Sequence, residues 1–209
     1  TLIETLAAFL REAELDGIEF DWEFPKGKKE WALFSKFLVN LKQRLMQDGK
    51  ILAVALADWG VHLSPEAVRA IDQLSYMAYD ITDLNGYHSS FGRAAVRAVE
   101  YAEKCGFRRE QINLGLPYYG RPTYKGEYWP LWKDAQVGYW QNYAPQITFD
   151  GIEMDAYYNC RGMVADKTAF ALQMGLGGMM IFPLNADRPH GDPLCLTDAI
   201  HRTIEDRVE

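Results

Sequence analysis

Apolar residues at Leu2, Leu6, Phe9, Leu10 and Ala13 recur at helical spacing, and Asp16-Gly17 is expected to stop that helix. The period then changes. Glu19, Asp21 and Glu23 alternate with Ile18, Phe20, Trp22 and Phe24, which predicts a strand over 18–23 with carboxylates on one face and bulky apolar groups on the other. Trp31, Phe34, Phe37, Leu38, Leu41 and Leu45 mark a second helix that closes at Asp48-Gly49. The nearly unbroken apolar run 51–57 reads as a strand covered on both faces in a parallel sheet. Ser64-Pro65-Glu66 is a helix start, with Ser64 as cap and Pro65 in the first turn. A strand over 74–79 runs into Asp80, and a loop through Asn85-Gly86 leads to a helix over 93–105 ended by Gly106. A strand over 112–118 precedes Tyr119-Gly120-Arg121. A looser aromatic-rich excursion over about 122–165 contains Tyr124, Tyr128, Trp129, Trp132, Tyr139, Trp140, Tyr143, Tyr157 and Tyr158. A helix over 166–174, a strand over 178–182 followed by Asn185 and Asp187, and a helix over 194–208 complete the pattern, with no internal repeat.

Strands alternating with helices imply an α/β fold with a parallel sheet. The chemically capable residues collect at the C-terminal ends of the strands: Asp21 and Glu23, Asp58 and Trp59, Tyr79 and Asp80, Tyr118 to Arg121, Asn185 to Asp187. That is the rim on which β/α barrels carry their active sites. A doubly wound sheet normally has a Gly-rich phosphate loop after its first strand, and none is present. With 209 residues, 48% of them hydrophobic and 13% aromatic, the chain can bury a sizeable core and is expected to be one catalytic-domain portion over 1–209. A formal charge of -7 gives no broad attraction to phosphate backbones or anionic bilayers, and no apolar run is long enough to span a membrane, so neither nucleic acid nor membrane is an expected partner. Cys105, Cys160 and Cys195 are too few and too scattered for a disulfide framework, and no Cys or His pair has metal-ligand spacing, so neither metal nor cofactor is expected. His62, His88, His190 and His201 show no pairing and read as surface or core residues. No signal peptide is visible, and the compartment stays open.

The row of Glu19, Asp21 and Glu23 carries the sharpest chemistry. Neighbours on such a row are about 6 to 7 Å apart at the Cα level. Facing a low-dielectric interior they cannot all ionise cheaply, so one keeps or shares a proton, as a general acid requires. The plain alternative is a half-exposed strand whose polar face meets water.

Four segments together give the pattern a wider meaning. Asp16-Gly17-Ile18-Glu19-Phe20-Asp21-Trp22-Glu23, with Pro25 following, resembles the Asp-x-x-Asp-x-Asp-x-Glu signature of glycoside hydrolase family 18, the chitinase-like enzymes. Met77-Ala78-Tyr79-Asp80, the run from Gly115 to Arg121, and the run from Gly177 to Phe182 resemble further segments of that family in the same order. The resemblance covers essentially the whole chain. It implies a partial (β/α)8 TIM barrel, strands four to eight of eight, with the N-terminal part missing or supplied elsewhere. Closure ties strand number, tilt and stagger together, so five strands cannot close, and self-association is expected if the barrel is incomplete.

The resemblance implies hydrolysis of β-1,4 bonds in N-acetylglucosamine-containing polysaccharide or oligosaccharide, using the substrate's acetamido group and retaining configuration. Glu23 is implied as the acid and then the base, Asp21 as the partner of the acetamido nitrogen, and Tyr79 as the donor to its carbonyl. Glu19, Met77, Asp80, Tyr118, Tyr119, Arg121 and Phe182 are implied in substrate binding. For Met77 and Tyr118 core packing is an even alternative, and Arg121 has the alternative of an ordinary ion pair. Trp59, Trp129, Trp132 and Trp140 are candidate stacking platforms that more often pack than bind. Three departures stand out: Glu19 where the family usually has Asp, Phe182 where it usually has Trp, and a segment after Arg121 that is short for the α+β insertion of deep-cleft members. A shallower groove with an endo-type or short-oligosaccharide mode is therefore expected. Other readings are a non-catalytic glycan-binding lectin on the same scaffold, a member acting on peptidoglycan or N-glycan cores, or a fragment inert by itself. A secreted or cell-surface location is implied by the resemblance alone.

Overall fold

The computed structural model describes residues 1–58, 60–122, 130–135, 147–149, 152–154 and 156–208. In chain order the elements are α1 (Leu2–Glu12), β1 (Gly17–Asp21), α2 (Gly27–Leu45), β2 (Ile51–Leu56), α3 (Pro65–Ala70), β3 (Gln73–Tyr76), α4 (Arg97–Lys104), β4 (Ile112–Pro117), β5 (Arg121–Pro122), β6 (Ile147–Phe149), β7 (Ile152–Met154), β8 (Ala156–Tyr157), α5 (Arg161–Met174), β9 (Gly178–Phe182) and α6 (Leu196–Val208). The chain divides into two compact units, Thr1–Met77 with Val99–Asn113, and Ala78–Ala98 with Leu114–Glu209.

In the first unit β1 pairs parallel with β2, from Gly17 opposite Ile51 to Asp21 opposite Ala55, and β2 pairs parallel with β3. The first residues of β4 follow β3 in the strand order. Every residue of β2 after Ile51 is buried, which is what a strand covered on both faces requires. The apolar row of β1 lies against α2: Phe20 meets Phe37 edge-on at 5.2 Å and Trp22 meets Phe34 at 5.3 Å between ring centroids. Trp31, Phe34, Leu38, Leu41 and Leu45 form the buried stripe of that helix at the 3.6-residue period. Ser64 caps α3 as expected, its Oγ accepting from the Ala67 amide at 3.2 Å.

The expected stop at Asp16-Gly17 is misplaced. Helix α1 ends at Glu12, with Glu14 in the left-handed region at φ 54°. Gly17 instead opens β1, where a Cβ would collide with the Ile51 carbonyl oxygen and side chain. Gly17→Ala is therefore expected to lower the unfolding free energy by about 1 to 3 kcal/mol through overpacking, measured as a fall in the urea midpoint. An unchanged midpoint would mean that β1 can move away from β2 without loss.

In the second unit the rest of β4 is followed by β9, and the Tyr118 amide donates to the Phe182 carbonyl at 2.8 Å. Two short antiparallel pairs, β5 with β8 and β6 with β7, supply the described structure of the aromatic-rich excursion. Its Tyr124, Tyr128, Trp129, Tyr139, Trp140 and Tyr143, like Trp59, lie outside the described residues. Trp132 is a core residue: it is 2% exposed, packs on Tyr158 and donates its indole N–H to the Leu194 carbonyl at 2.8 Å. Leu116, Tyr118, Val164, Leu196 and Ile200 complete that core. Helix α5 starts five residues before the expected boundary, and a π-helical turn over Gly92–Val96 leads into α4. Among the described residues no helix is long and apolar enough to cross a membrane.

Candidate active site

In the first unit Glu19 and Asp21 lie on β1 and Glu23 lies two residues beyond its end; all three are exposed. The segment that carries Glu23 is tied down on both sides. Trp22 rests on Phe34, Pro25 is buried, and the Lys26 amide donates to Glu30 at 2.5 Å as α2 begins. Met77 is buried at 8% exposure, its amide donating to the Leu56 carbonyl at 2.8 Å.

The second unit gathers Tyr79, Asp80, Tyr119, Arg121 and Phe182. Tyr79 and Phe182 stack with centroids 5.7 Å apart and 15° between planes, and Tyr119 meets both edge-on at 6.3 and 6.2 Å. Phe182 is 47% exposed, so one face of this aromatic cluster is open to a ligand. Arg121 grips Asp80 with two nitrogens, Nε to Oδ1 at 2.8 Å and Nη2 to Oδ2 at 2.7 Å, and the Tyr119 hydroxyl donates to Oδ1 at 2.6 Å. Such a forked pair fixes the carboxylate's plane as well as its charge. Tyr118, one residue from Tyr119, takes the opposite side of the chain. It is fully buried in the core, its hydroxyl 3.2 Å from Thr197 Oγ1, away from the Asp80 group.

Sequence reasoning missed His88, read there as an unpaired histidine. Its Nε2 lies 2.9 Å from the Asp80 amide, 3.0 Å from Ser89 Oγ and 3.2 Å from Asp80 Oδ1. A backbone amide can only donate, so Nε2 is the acceptor and the hydrogen of the neutral ring sits on Nδ1. A signal existed at Asn85-Gly86. The turn there folds the loop back on itself: the Asp83 amide donates to the Tyr87 carbonyl at 3.0 Å and the Ser89 amide to the Ile81 carbonyl at 2.8 Å, which brings His88 under Asp80. Asp187, which follows the helical turn Leu184–Ala186 beyond β9, is occupied elsewhere. It anchors the start of α6, accepting from the Leu196 and Thr197 amides at 2.9 and 2.8 Å and from Thr197 Oγ1 at 2.6 Å.

Burial alone would raise the Asp80 carboxyl. The Arg121 fork and the Tyr119 hydroxyl outweigh burial and lower its pKa to about 2. A carboxyl whose pKa is lower folded than unfolded lends stability that is complete above the unfolded value near 4 and lost as pH falls toward 2. The share due to Asp80 is expected to be about 2 kcal/mol, and Asp80→Asn is expected to remove that part of the acid dependence in urea titrations between pH 5 and 2. Burial is the largest influence on the His88 imidazole and lowers its pKa; the Asp80 charge opposes this, and the Arg121 and Lys167 charges assist it. Among the described residues no group of three or more His, Cys, Asp or Glu is arranged to hold a metal ion.

The family model for glycosyl hydrolases family 18 matches residues 1–187. The chain belongs to glycosyl hydrolases family 18. Its curated relatives include a probable chitinase 2 of Drosophila melanogaster, 23% identical over 88% of this chain and 50% of that protein, and chitotriosidase-1 of Mus musculus, 26% identical over 90% of this chain and 53% of that protein. This family 18 chain thus spans about half the length of those relatives. Among solved structures, the chitinase from the chitin utilization locus of Flavobacterium johnsoniae superimposes with a TM-score of 0.77 at 26% identity, over 98% of this chain and 65% of that one. The α/β fold with its parallel sheet is therefore the family 18 fold.

Proposed function

We propose that this chain supplies strands four to eight of a family 18 barrel and cleaves β-1,4 bonds in N-acetylglucosamine-containing glycans by retaining, substrate-assisted catalysis. The observation that carries the reading is the Asp80 group: a carboxylate locked in plane by Arg121 and Tyr119, beside the half-exposed Phe182 ring stacked on Tyr79. Sugars are bound in this manner, a fixed polar group for hydroxyls and an aromatic face for C–H bonds. Tyr79 is assigned to the acetamido carbonyl, Asp21 to the acetamido nitrogen, and Glu23 to the glycosidic oxygen. The acetamido oxygen then attacks the anomeric carbon as the C–O bond to the leaving sugar breaks, Glu23 gives its proton to that sugar, and water later opens the oxazoline-like ring with Glu23 as base. Glu19 and Met77 are assigned supporting roles in substrate binding, and Tyr118, buried in the core with its hydroxyl at Thr197, is assigned to packing.

Support also comes from relatives. A mutant of the second catalytic domain of an Ostrinia furnacalis Group II chitinase was solved in complex with (NAG)5, and this chain shares its fold at a TM-score of 0.79. The smaller Phe182 ring and the longer Glu19 side chain favour, as a second reading, a glycan-binding protein without turnover; the presence of Glu23 favours the hydrolase. An assay of N-acetylchitooligosaccharides, bacterial wall glycan and N-glycan cores, with anomer analysis of products, separates them. Release of β-anomers from the first supports the proposal, and binding without cleavage of any of the three overturns it.

A further inference from the structure

Lys167 is the most deeply buried charged side chain of the second unit, with no exposed surface, and among the described residues no carboxylate pairs with it. A lysine in such a place needs a reason, because an apolar side chain of the same length would avoid the desolvation. Its Nζ donates to the Ser89 carbonyl at 2.8 Å and to Asn159 Oδ1 at 2.6 Å, and Asn159 Nδ2 donates to the same Ser89 carbonyl at 3.2 Å. Two donors converge on one carbonyl oxygen and use both its lone pairs.

The residue so gripped is unusual. Ser89 is fully buried at φ 52°, and Asp80, at the other end of the same loop, stands at φ 59°. A non-glycine residue in the left-handed region is held there by its surroundings, against the steric preference of its own backbone. His88 joins the two: its Nε2 accepts from the Asp80 amide and lies against the Ser89 hydroxyl. A chain of direct contacts therefore runs from Lys167 and Asn159 through Ser89 and His88 to the backbone of Asp80.

We propose that Lys167, with Asn159, is a positioning residue for Asp80: by holding the Ser89 carbonyl it seats His88 as the acceptor under the Asp80 amide and so sets the direction in which the Asp80 carboxylate meets a sugar. This rests on the reading of Asp80 as part of a sugar subsite. The groups around Lys167 and His88 agree with it. The charged neighbours felt by His88 are Asp80, Arg121 and Lys167, and the two cations together with burial keep its ring neutral, the form able to accept the amide hydrogen.

The test is Lys167→Met, read in two ways. The first is the tautomer of His88, from the nitrogen shifts of its ring by NMR; the second is the dissociation constant for tetra-N-acetylchitotetraose by calorimetry. The wild-type ring is expected as the Nδ1–H tautomer, and Lys167→Met is expected to populate the other tautomer and to weaken the tetrasaccharide about tenfold. Ser89→Gly in the Lys167→Met background supplies a residue at ease in the left-handed region and is expected to recover most of the affinity, which filling or emptying of space would not do. Unchanged His88 signals in Lys167→Met overturn the proposal. Should Lys167→Met fail to fold, Asn159→Ala is read in the same way, with about threefold weaker binding expected and unaltered His88 signals again decisive against it. Asp80→Ala is measured alongside. If it leaves the dissociation constant unchanged, the sugar-subsite reading fails, and the His88 tautomer still decides whether Lys167 positions Asp80.

Discussion

Glu23→Gln is expected to lower kcat on N-acetylchitooligosaccharides by about 10³-fold while changing the dissociation constant by less than about threefold. The amide keeps the size of the side chain and its ability to hydrogen-bond, so the ground-state complex is nearly intact. It cannot hand a proton to the departing oxygen, nor take one from water afterwards, so both halves of the reaction lose their catalyst. The backbone on both sides of it is anchored by Trp22 on Phe34 and by buried Pro25, so the substitution is expected to leave the segment in place. Rates from product release by chromatography and affinities from calorimetry separate the two effects. Hydrolysis at the wild-type rate would move the acid to another carboxylate, with Asp21 the nearest on the same row.

Much of this protein is readable from its residues, because most of its elements follow from local rules. The run 178–182 is bounded by glycine on one side and proline on the other, and β9 has those limits. Ser64-Pro65 specifies a cap and a first turn, and α3 starts there. Boundaries fail where tertiary contacts overrule the pattern. The strand expected over 74–79 leaves the ladder after Tyr76, and the chain then turns at Asp80, whose left-handed φ is imposed by contacts eight and more residues away. Helix α5 is missed at its start because Cys160 stands at the N-cap in place of Ser, Thr, Asp or Asn and Gly162 lies in the first turn, so no start signal marks residue 161. The site divides in the same way. Tyr79, Asp80, Arg121 and Phe182 stand at strand ends and are visible as candidates, whereas Lys167 reaches Ser89 across 78 positions and no periodicity encodes that contact.

The pH dependence of stability is expected to carry the mark of Lys167. Burial pushes its ammonium from 10.5 down to about 7, so between those values the unfolded chain binds a proton that the folded chain has released. Stability then increases with pH, by at most about 1.4 kcal/mol per unit from this one group, beginning near pH 7. The rise has an upper limit set by groups of the opposite kind. Burial raises the Cys195 thiol from 9.0 to about 11 and raises Tyr118, Tyr119 and Tyr158 as well. Above about pH 9 the unfolded chain ionises these acids while the folded chain does not, and stability is lost again. Wild type is therefore expected to be most stable near pH 9, about 2 kcal/mol above its value at pH 7 in urea titrations. Lys167→Met, which has no proton to release, is expected to show no rise between pH 7 and 9 and the same decline beyond it. A rise that persists in Lys167→Met belongs to some other group and would place the Lys167 ammonium in a more polar setting than its contacts with Ser89 and Asn159 provide.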